Sequence, residues 1–82
     1  MTKIFRDITY RVAGSYVAAL PDARPNGDGY VGDGWEAQLR ELPPVQVGSL
    51  EFRQVQLTLE GTPERVEEVW EQLSPKFLRG GA

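Results

Sequence analysis

The stretch SLEFRQVQLTLEGTPERVEEVWEQL, residues 49–73, predicts a strand, a tight break and an amphipathic helix in immediate succession. Thr62 is suited to the N-cap of that helix, and Pro63 suits its first position, where no backbone amide hydrogen is needed. Apolar side chains then recur at i, i+3, i+4 and i+7, which places them on one helical face: Val66, Val69, Trp70 and Leu73. We therefore predict a helix over residues 63–73 that lies across the preceding strand.

Trp70 is at the centre of this apolar stripe. A large aromatic ring at such a position is expected to be sealed between the helix and the sheet. Its replacement by alanine is then expected to cost roughly 3–5 kcal/mol, a large part of the stability of a small domain.

The length of 82 residues allows one small domain, residues 1–82, with a two-layer core. Hydrophobic residues make up 40% and charged residues 26% of the chain, which is typical of a folded globular protein. The chain has no cysteine, so neither disulfides nor thiolate-bound metal can stabilise the small core. Self-association is another way to add buried area, and a homodimer is therefore one predicted state.

The net charge of −3 gives no general attraction to phosphate backbones, so nucleic acid is not a predicted partner. No apolar run approaches the roughly 20 residues that span a bilayer, and residues 1–6 lack the apolar centre of a signal peptide. We predict a soluble cytoplasmic protein whose partner is another protein and not a membrane.

Residues 3–20 show apolar side chains at most even positions, from Ile4 to Leu20. A period of two predicts extended structure, with one face toward a core and the other toward water. Because this segment is long for one strand, we expect a kink, a bulge or a hairpin turn at Gly14.

Residues 21–34, PDARPNGDGYVGDG, are rich in glycine and proline and predict a long loop. The pairs Asn26-Gly27 and Asp28-Gly29 are also typical of a simple hairpin turn. An exposed aromatic and oxygen-bearing side chains on such a loop are candidates for binding: Asn26, Asp28, Tyr30 and Asp33. Their spacing does not match an EF-hand calcium loop, and we predict neither a metal nor a cofactor.

Residues 35–42, WEAQLREL, fit both a strand and a helix, and their clean alternation favours a strand. Pro43-Pro44 is expected to end this segment. Further along, the apolar parity changes from Leu50 and Phe52 to residues 55, 57 and 59. Either a bulge lies at Arg53-Gln54, which we prefer, or the strand buries opposite faces at its two ends.

Together these patterns predict an α+β fold: an antiparallel sheet of three to four strands with one C-terminal helix packed across one face. In the alternative, residues 35–42 form a helix and the fold is a ferredoxin-like β-α-β-α arrangement. Ser74-Pro75 is expected to stop the C-terminal helix, after which Phe77 and Leu78 fold back onto the core. Residues 79–82 are predicted to be a flexible tail.

The chain contains no histidine and no cysteine, which removes the usual general base and the most nucleophilic side chain. Carboxylates could still perform acid and base catalysis, but no spacing singles out a pair among Asp7, Asp22, Asp28, Asp33 and the glutamates of the predicted helix. The sequence therefore names no catalytic residue and favours a small non-catalytic binding or assembly module.

Residues Leu78-Arg79-Gly80-Gly81 resemble the end of ubiquitin-like modifiers and sulfur carriers. This resemblance implies a flexible diglycine whose carboxylate is adenylated and transferred. Two features differ from that family: Ala82 follows the diglycine, and a predicted helix leads into it where the family has a strand. A modifier or sulfur carrier acting through the diglycine is thus the first alternative to the binding module, and a small carboxylate enzyme is the second.

Overall fold

The structure is a computed structural model and describes residues 1–80. Two helices lie on one face of a five-stranded sheet. In chain order the elements are β1 (Thr2–Arg6), α1 (Tyr10–Ala18), β2 (Arg24–Asn26), β3 (Gly29–Gly32), β4 (Trp35–Val47), β5 (Leu50–Gly61) and α2 (Pro63–Gly80). The strand order is β1-β5-β4-β3-β2, and every neighbouring pair is antiparallel.

The predicted α+β class, the antiparallel sheet and the C-terminal helix are confirmed, but the sheet has five strands and not three to four. The extra strands come from residues 21–34, which we expected to be a loop. This segment forms the β2–β3 hairpin, and its two-residue turn at Gly27-Asp28 uses the turn chemistry that the sequence indicated, with Gly27 at a φ of 60°.

β4 and β5 form a long hairpin at the centre of the sheet, turning at Gly48, whose φ of 63° suits glycine. Residues 35–42 are a strand, so the helical alternative for that segment, and with it the ferredoxin-like arrangement, is wrong. Pro43-Pro44 does not end the strand: the register shifts there, because the two prolines lie opposite one residue of β5. The bulge is therefore in β4 and not at Arg53-Gln54.

α1 replaces the second half of the strand that the even-numbered apolar residues predicted. Asp7 has a φ of 62° and ends β1, and the Thr9 side chain accepts a hydrogen bond from the Val12 amide at 3.2 Å to cap the helix. The buried side chains Ala13 and Val17 lie four residues apart and both face the sheet. The apolar residues of this segment fit both a strand spacing and a helical spacing. The helix forms because it places Ala13 and Val17 together against the sheet.

α2 runs past Ser74-Pro75 to Gly80, so the predicted end at Leu73 is wrong. The buried residues Val69, Leu73 and Phe77 recur every four positions and hold the continued helix against the sheet. Phe77 therefore reaches the core as part of the helix and not by folding back. Neither helix in the described part of the chain is long and apolar enough to cross a membrane.

Trp70 does not occupy the sealed position that we expected. It is half-buried at the edge of the core, where its ring stacks on Phe5 with centroids 6.0 Å apart and the Lys3 ammonium lies 5.5 Å from its centroid. Phe77 is the large aromatic at the centre: its ring stacks on Phe5 at 4.5 Å and meets the edge of Tyr16 at 5.3 Å. The buried side of α2 is thus centred on Val69, Leu73 and Phe77, and Trp70 lies at its margin.

Candidate functional site

The sheet has one face covered by α1 and α2 and a second face, here called the open face, on which no described helix lies. Side chains that are directly paired across two strands point to the same side of a sheet. The register therefore places the side chains of the open face in rows that run across the strands. Two rows lie at its centre: Ile4, Gln56 and Arg40 form one, and Thr2, Thr58 and Gln38 form the next. This centre is rich in amide and hydroxyl groups.

A cleft of about 540 Å³ lies between the β2–β3 turn and the open face. The turn contributes residues 26–29, and the strands contribute mainly polar side chains: Glu36, Gln38, Arg40, Gln56 and Thr58. Within it the Gln38 side-chain amide donates to the Glu36 carboxylate at 3.1 Å. These polar side chains can bind a polar ligand through several hydrogen bonds, and Arg40 can pair with an anionic group.

The four predicted binding residues are not brought together. Asn26 and Asp28 line this cleft. Tyr30 is half-buried and packs against the core on the opposite face, so it is not the exposed anchor that we expected. Asp33 lies in the β3–β4 turn, about 17 Å from Asp28 along the extended strand. A binding role for any of the four remains a prediction.

Asp22 is the most highly connected carboxylate among the described residues. Its Oδ2 atom accepts from the Asp33 amide at 2.9 Å, from the Trp35 indole nitrogen at 2.9 Å and from the Arg65 guanidinium at 3.2 Å. The same guanidinium donates to the Asp33 carbonyl at 2.9 Å and to the Glu68 carboxylate at 2.7 Å. This network joins the segment after α1, the β3–β4 turn and the first turn of α2.

The pKa of Asp22 lies below its ordinary value of 3.8, first because the Asp33 amide donates to its carboxylate and second because the Trp35 indole does so. The charge of Arg65 adds a smaller effect in the same direction. A carboxyl group stabilised as the anion is unsuited to donate a proton near neutral pH. Asp22 therefore has the properties of a structural group and not those of a general acid.

The sequence named Asp22 only as one acid among several and did not single out Arg65. Their contact spans 43 positions along the chain, and no local spacing indicates it. The glycines around Asp33 predicted a loop, but the residue that accepts from the Asp33 amide could be found only in the folded molecule.

The C-terminal end of α2 is the other candidate site. Phe77 is 1% exposed and fixes the helix to the core, whereas Leu78, the next residue, is 67% exposed. Gly80 is the last described residue and is helical, so a helix and not a strand leads into the diglycine. Gly81 and Ala82, and with them half of the diglycine and half of the predicted flexible tail, lie outside the described residues.

The model of the family described as Archaeal MoaD-like protein matches residues 1–82. The comparison with curated proteins found no match.

Proposed function

Because the chain belongs to the archaeal MoaD-like protein family, we propose that it is a small ubiquitin-like or sulfur-carrier-like protein that acts through Gly80-Gly81. The observation that carries this proposal is that the family match runs through residues 1–82 and so includes the diglycine. In this role the chain is the substrate of partner enzymes and not itself a catalyst. The cytoplasmic location predicted from composition belongs to the same proposal.

The chemistry requires a free carboxylate on Gly81, so the bond between Gly81 and Ala82 must first be hydrolysed. A carboxylate oxygen of Gly81 then attacks the α-phosphorus of ATP and pyrophosphate leaves. Attack of a sulfide donor on the acyl-adenylate releases AMP and leaves a thiocarboxylate. None of these steps needs a general base from this chain, in agreement with a sequence that has no histidine and no cysteine.

Phe77 sets the start of the segment that can move. Its ring is locked by Phe5 and Tyr16, whereas Leu78 contributes little burial and Gly80 disfavours a helix by about 1 kcal/mol relative to alanine. From Phe77 to Gly80 the chain spans about 4.5 Å as a helix and about 10 Å when extended. We expect residues after Phe77 to unwind when the diglycine enters a partner's active site.

The test compares three versions of the protein: the 82-residue chain, a chain ending at Gly81 and a chain ending at Gly80. Each is incubated with ATP, sulfide and an adenylating enzyme from the same source cells, and its intact mass is measured. We expect the mass change that corresponds to one oxygen replaced by one sulfur only for the chain ending at Gly81. An unchanged mass for that chain, with an enzyme that modifies its own carrier in parallel, would contradict the carrier function.

The second candidate is a binding or assembly module that does not use the diglycine, as a monomer or as a homodimer. The observation that favours it is the helix through Gly80, because a helical Gly80 is not extended for transfer. In this case the cleft beside Asn26 and Asp28 is the candidate binding site. The mass experiment separates the two candidates. A thiocarboxylate on the chain ending at Gly81 supports the carrier, and an unchanged mass supports the binding module.

A further inference from the structure

The end of the β4–β5 hairpin carries a row of apolar side chains on the open face. Val45 pairs with Phe52 and Val47 pairs with Leu50, so these four residues point to the same side. Leu42 precedes them on that side, as partner of Gln54. We call the set the hairpin patch: Leu42, Val45, Val47, Leu50 and Phe52.

This placement explains the parity change of β5. The strand is not bulged, and it buries Val55, Leu57 and Leu59 under the helices while Leu50 and Phe52 point to the opposite side. The sequence left two alternatives open, and the second is therefore correct: β5 directs its apolar side chains to opposite faces at its two ends. The consequence is an apolar surface that no described part of the chain covers.

The exposure of the hairpin patch is large for a turn region. Val47 is 53% exposed and Leu50 is 61% exposed, although they flank the turn at Gly48, where polar residues are usual. Ile4, in the row next to that of Leu42 on the same face, is 56% exposed. Leu42, Val45 and Phe52 are half-buried and connect these exposed residues to the rest of the sheet. Apolar side chains grouped in this way at a protein surface are typical of an interaction site.

Two arginines lie beside the hairpin patch on the open face. Arg6 pairs with Gln54 in the row of Leu42, and Arg40 pairs with Gln56 in the next row. Among the described residues, both ion pairs involve Arg65, so no described carboxylate lies within 4.0 Å of Arg6 or Arg40. The chain as a whole carries a charge of −3, which makes this end of the open face locally opposite in charge to the rest.

The charges decide between two kinds of occupant. A second copy that paired its hairpin patch with this one would bring four arginines together, because the carboxylates of the open face, Glu36 and Glu60, lie two rows beyond Arg40 at the other end of the face. Like charges at an interface are unfavourable. A different protein with an apolar surface bordered by carboxylates would cover the patch and neutralise both arginines.

We propose that the hairpin patch, together with Arg6 and Arg40, is the docking surface for a partner protein that presents an apolar surface edged with aspartate or glutamate. The surface is separate from the diglycine at the end of α2 and does not depend on its activation. In this interface Leu50 and Phe52 supply the buried area, and the arginines supply orientation and salt-sensitive attraction.

The test begins with the immobilised full chain and an extract of the source cells. Proteins that bind are identified by mass spectrometry, purified and titrated against the full chain by calorimetry. Three variants are compared: Leu50→Ser, Arg40→Glu, and the control Val12→Ser, which removes an exposed apolar side chain of α1, on the other side of the sheet. Circular dichroism melts confirm that each variant is folded.

We expect the purified partner to lose roughly tenfold or more in affinity for Leu50→Ser and for Arg40→Glu, and to bind Val12→Ser as tightly as the parent. Raising the salt concentration should weaken binding of the parent more than that of Arg40→Glu. Equal binding to all variants, the absence of any retained protein, or a parent dimer that Leu50→Ser dissociates would each overturn the proposal.

Discussion

At the residue scale, Phe77 and not Trp70 is the aromatic on which the core depends. Phe77 is fully buried between Phe5 and Tyr16, whereas Trp70 is only half-buried. The two residues lie on the same helix, seven positions apart, and both contact Phe5. Their difference in burial therefore predicts a difference in stability.

Phe77→Ala is expected to lower the free energy of unfolding by roughly 3–5 kcal/mol, because it leaves a large cavity at the centre of the core. Trp70→Ala is expected to cost only about 1–2 kcal/mol, from the lost stacking on Phe5 and the lost contact with Lys3. Urea unfolding followed by far-ultraviolet circular dichroism measures both. A Trp70→Ala loss as large as that of Phe77→Ala would show that the stripe of α2 is oriented as the sequence first suggested.

At the element scale, the feature of α2 that needs an explanation is the proline in its interior, Pro75. Pro75 has no amide hydrogen to donate to the preceding turn and is nevertheless inside the helix. The helix continues because Phe77, two residues later, gains a buried position that it would lose if the helix ended at Ser74. Local propensity and tertiary packing disagree at this point, and packing determines the conformation.

Pro75→Ala is therefore expected to stabilise the protein by about 1–3 kcal/mol, because the restored helical hydrogen bond outweighs the conformational entropy that the unfolded chain gains without the proline. Pro63→Ala is the matched control: Pro63 is at the first helical position, where its missing amide has no helical partner, so no comparable gain is expected. Thermal melts measure both changes. A destabilising Pro75→Ala would indicate that the helix does not continue through residue 75.

At the scale of the whole molecule, two features join parts that are distant in sequence. The helices and β1 share one core with β4 and β5. The Asp22 carboxylate then connects the segment after α1 to the β3–β4 turn and to Arg65 of α2, outside that core. The second feature involves charge, and its contribution to stability therefore depends on pH.

The pKa of Asp22 is lower in the folded protein than in the unfolded chain. Its contribution to stability is thus fully present above the unfolded pKa, near pH 4, and is lost as the pH falls through the folded pKa. We expect Asp22→Asn to be less stable than the parent at pH 7 and the difference to shrink below about pH 4. Urea titrations of both proteins across this range measure it, and a difference that does not change with pH would contradict the assignment.

The sequence by itself determined the features that depend on neighbouring residues. These are the helix start at Thr62-Pro63, the strand over residues 35–42 and the turn chemistry at residues 26–29, all of which rest on caps, alternation and glycine. It also drew attention to the diglycine, of which Gly80 is described. Local patterns act on the backbone within a few residues, so their energy does not require a distant partner.

Only the tertiary structure decided which pattern prevails where two fit the same residues. Residues 10–18 satisfy a strand period and a helical one, and the helix forms because Ala13 and Val17 then reach the sheet. The apolar side chains at the two ends of β5 point to opposite faces of the sheet because the helices cover only one end of the hairpin. Asp22 contacts Arg65 because the fold brings the segment after α1 next to α2. In each case the deciding energy comes from burial or charge contacts across the chain, which local spacing does not encode.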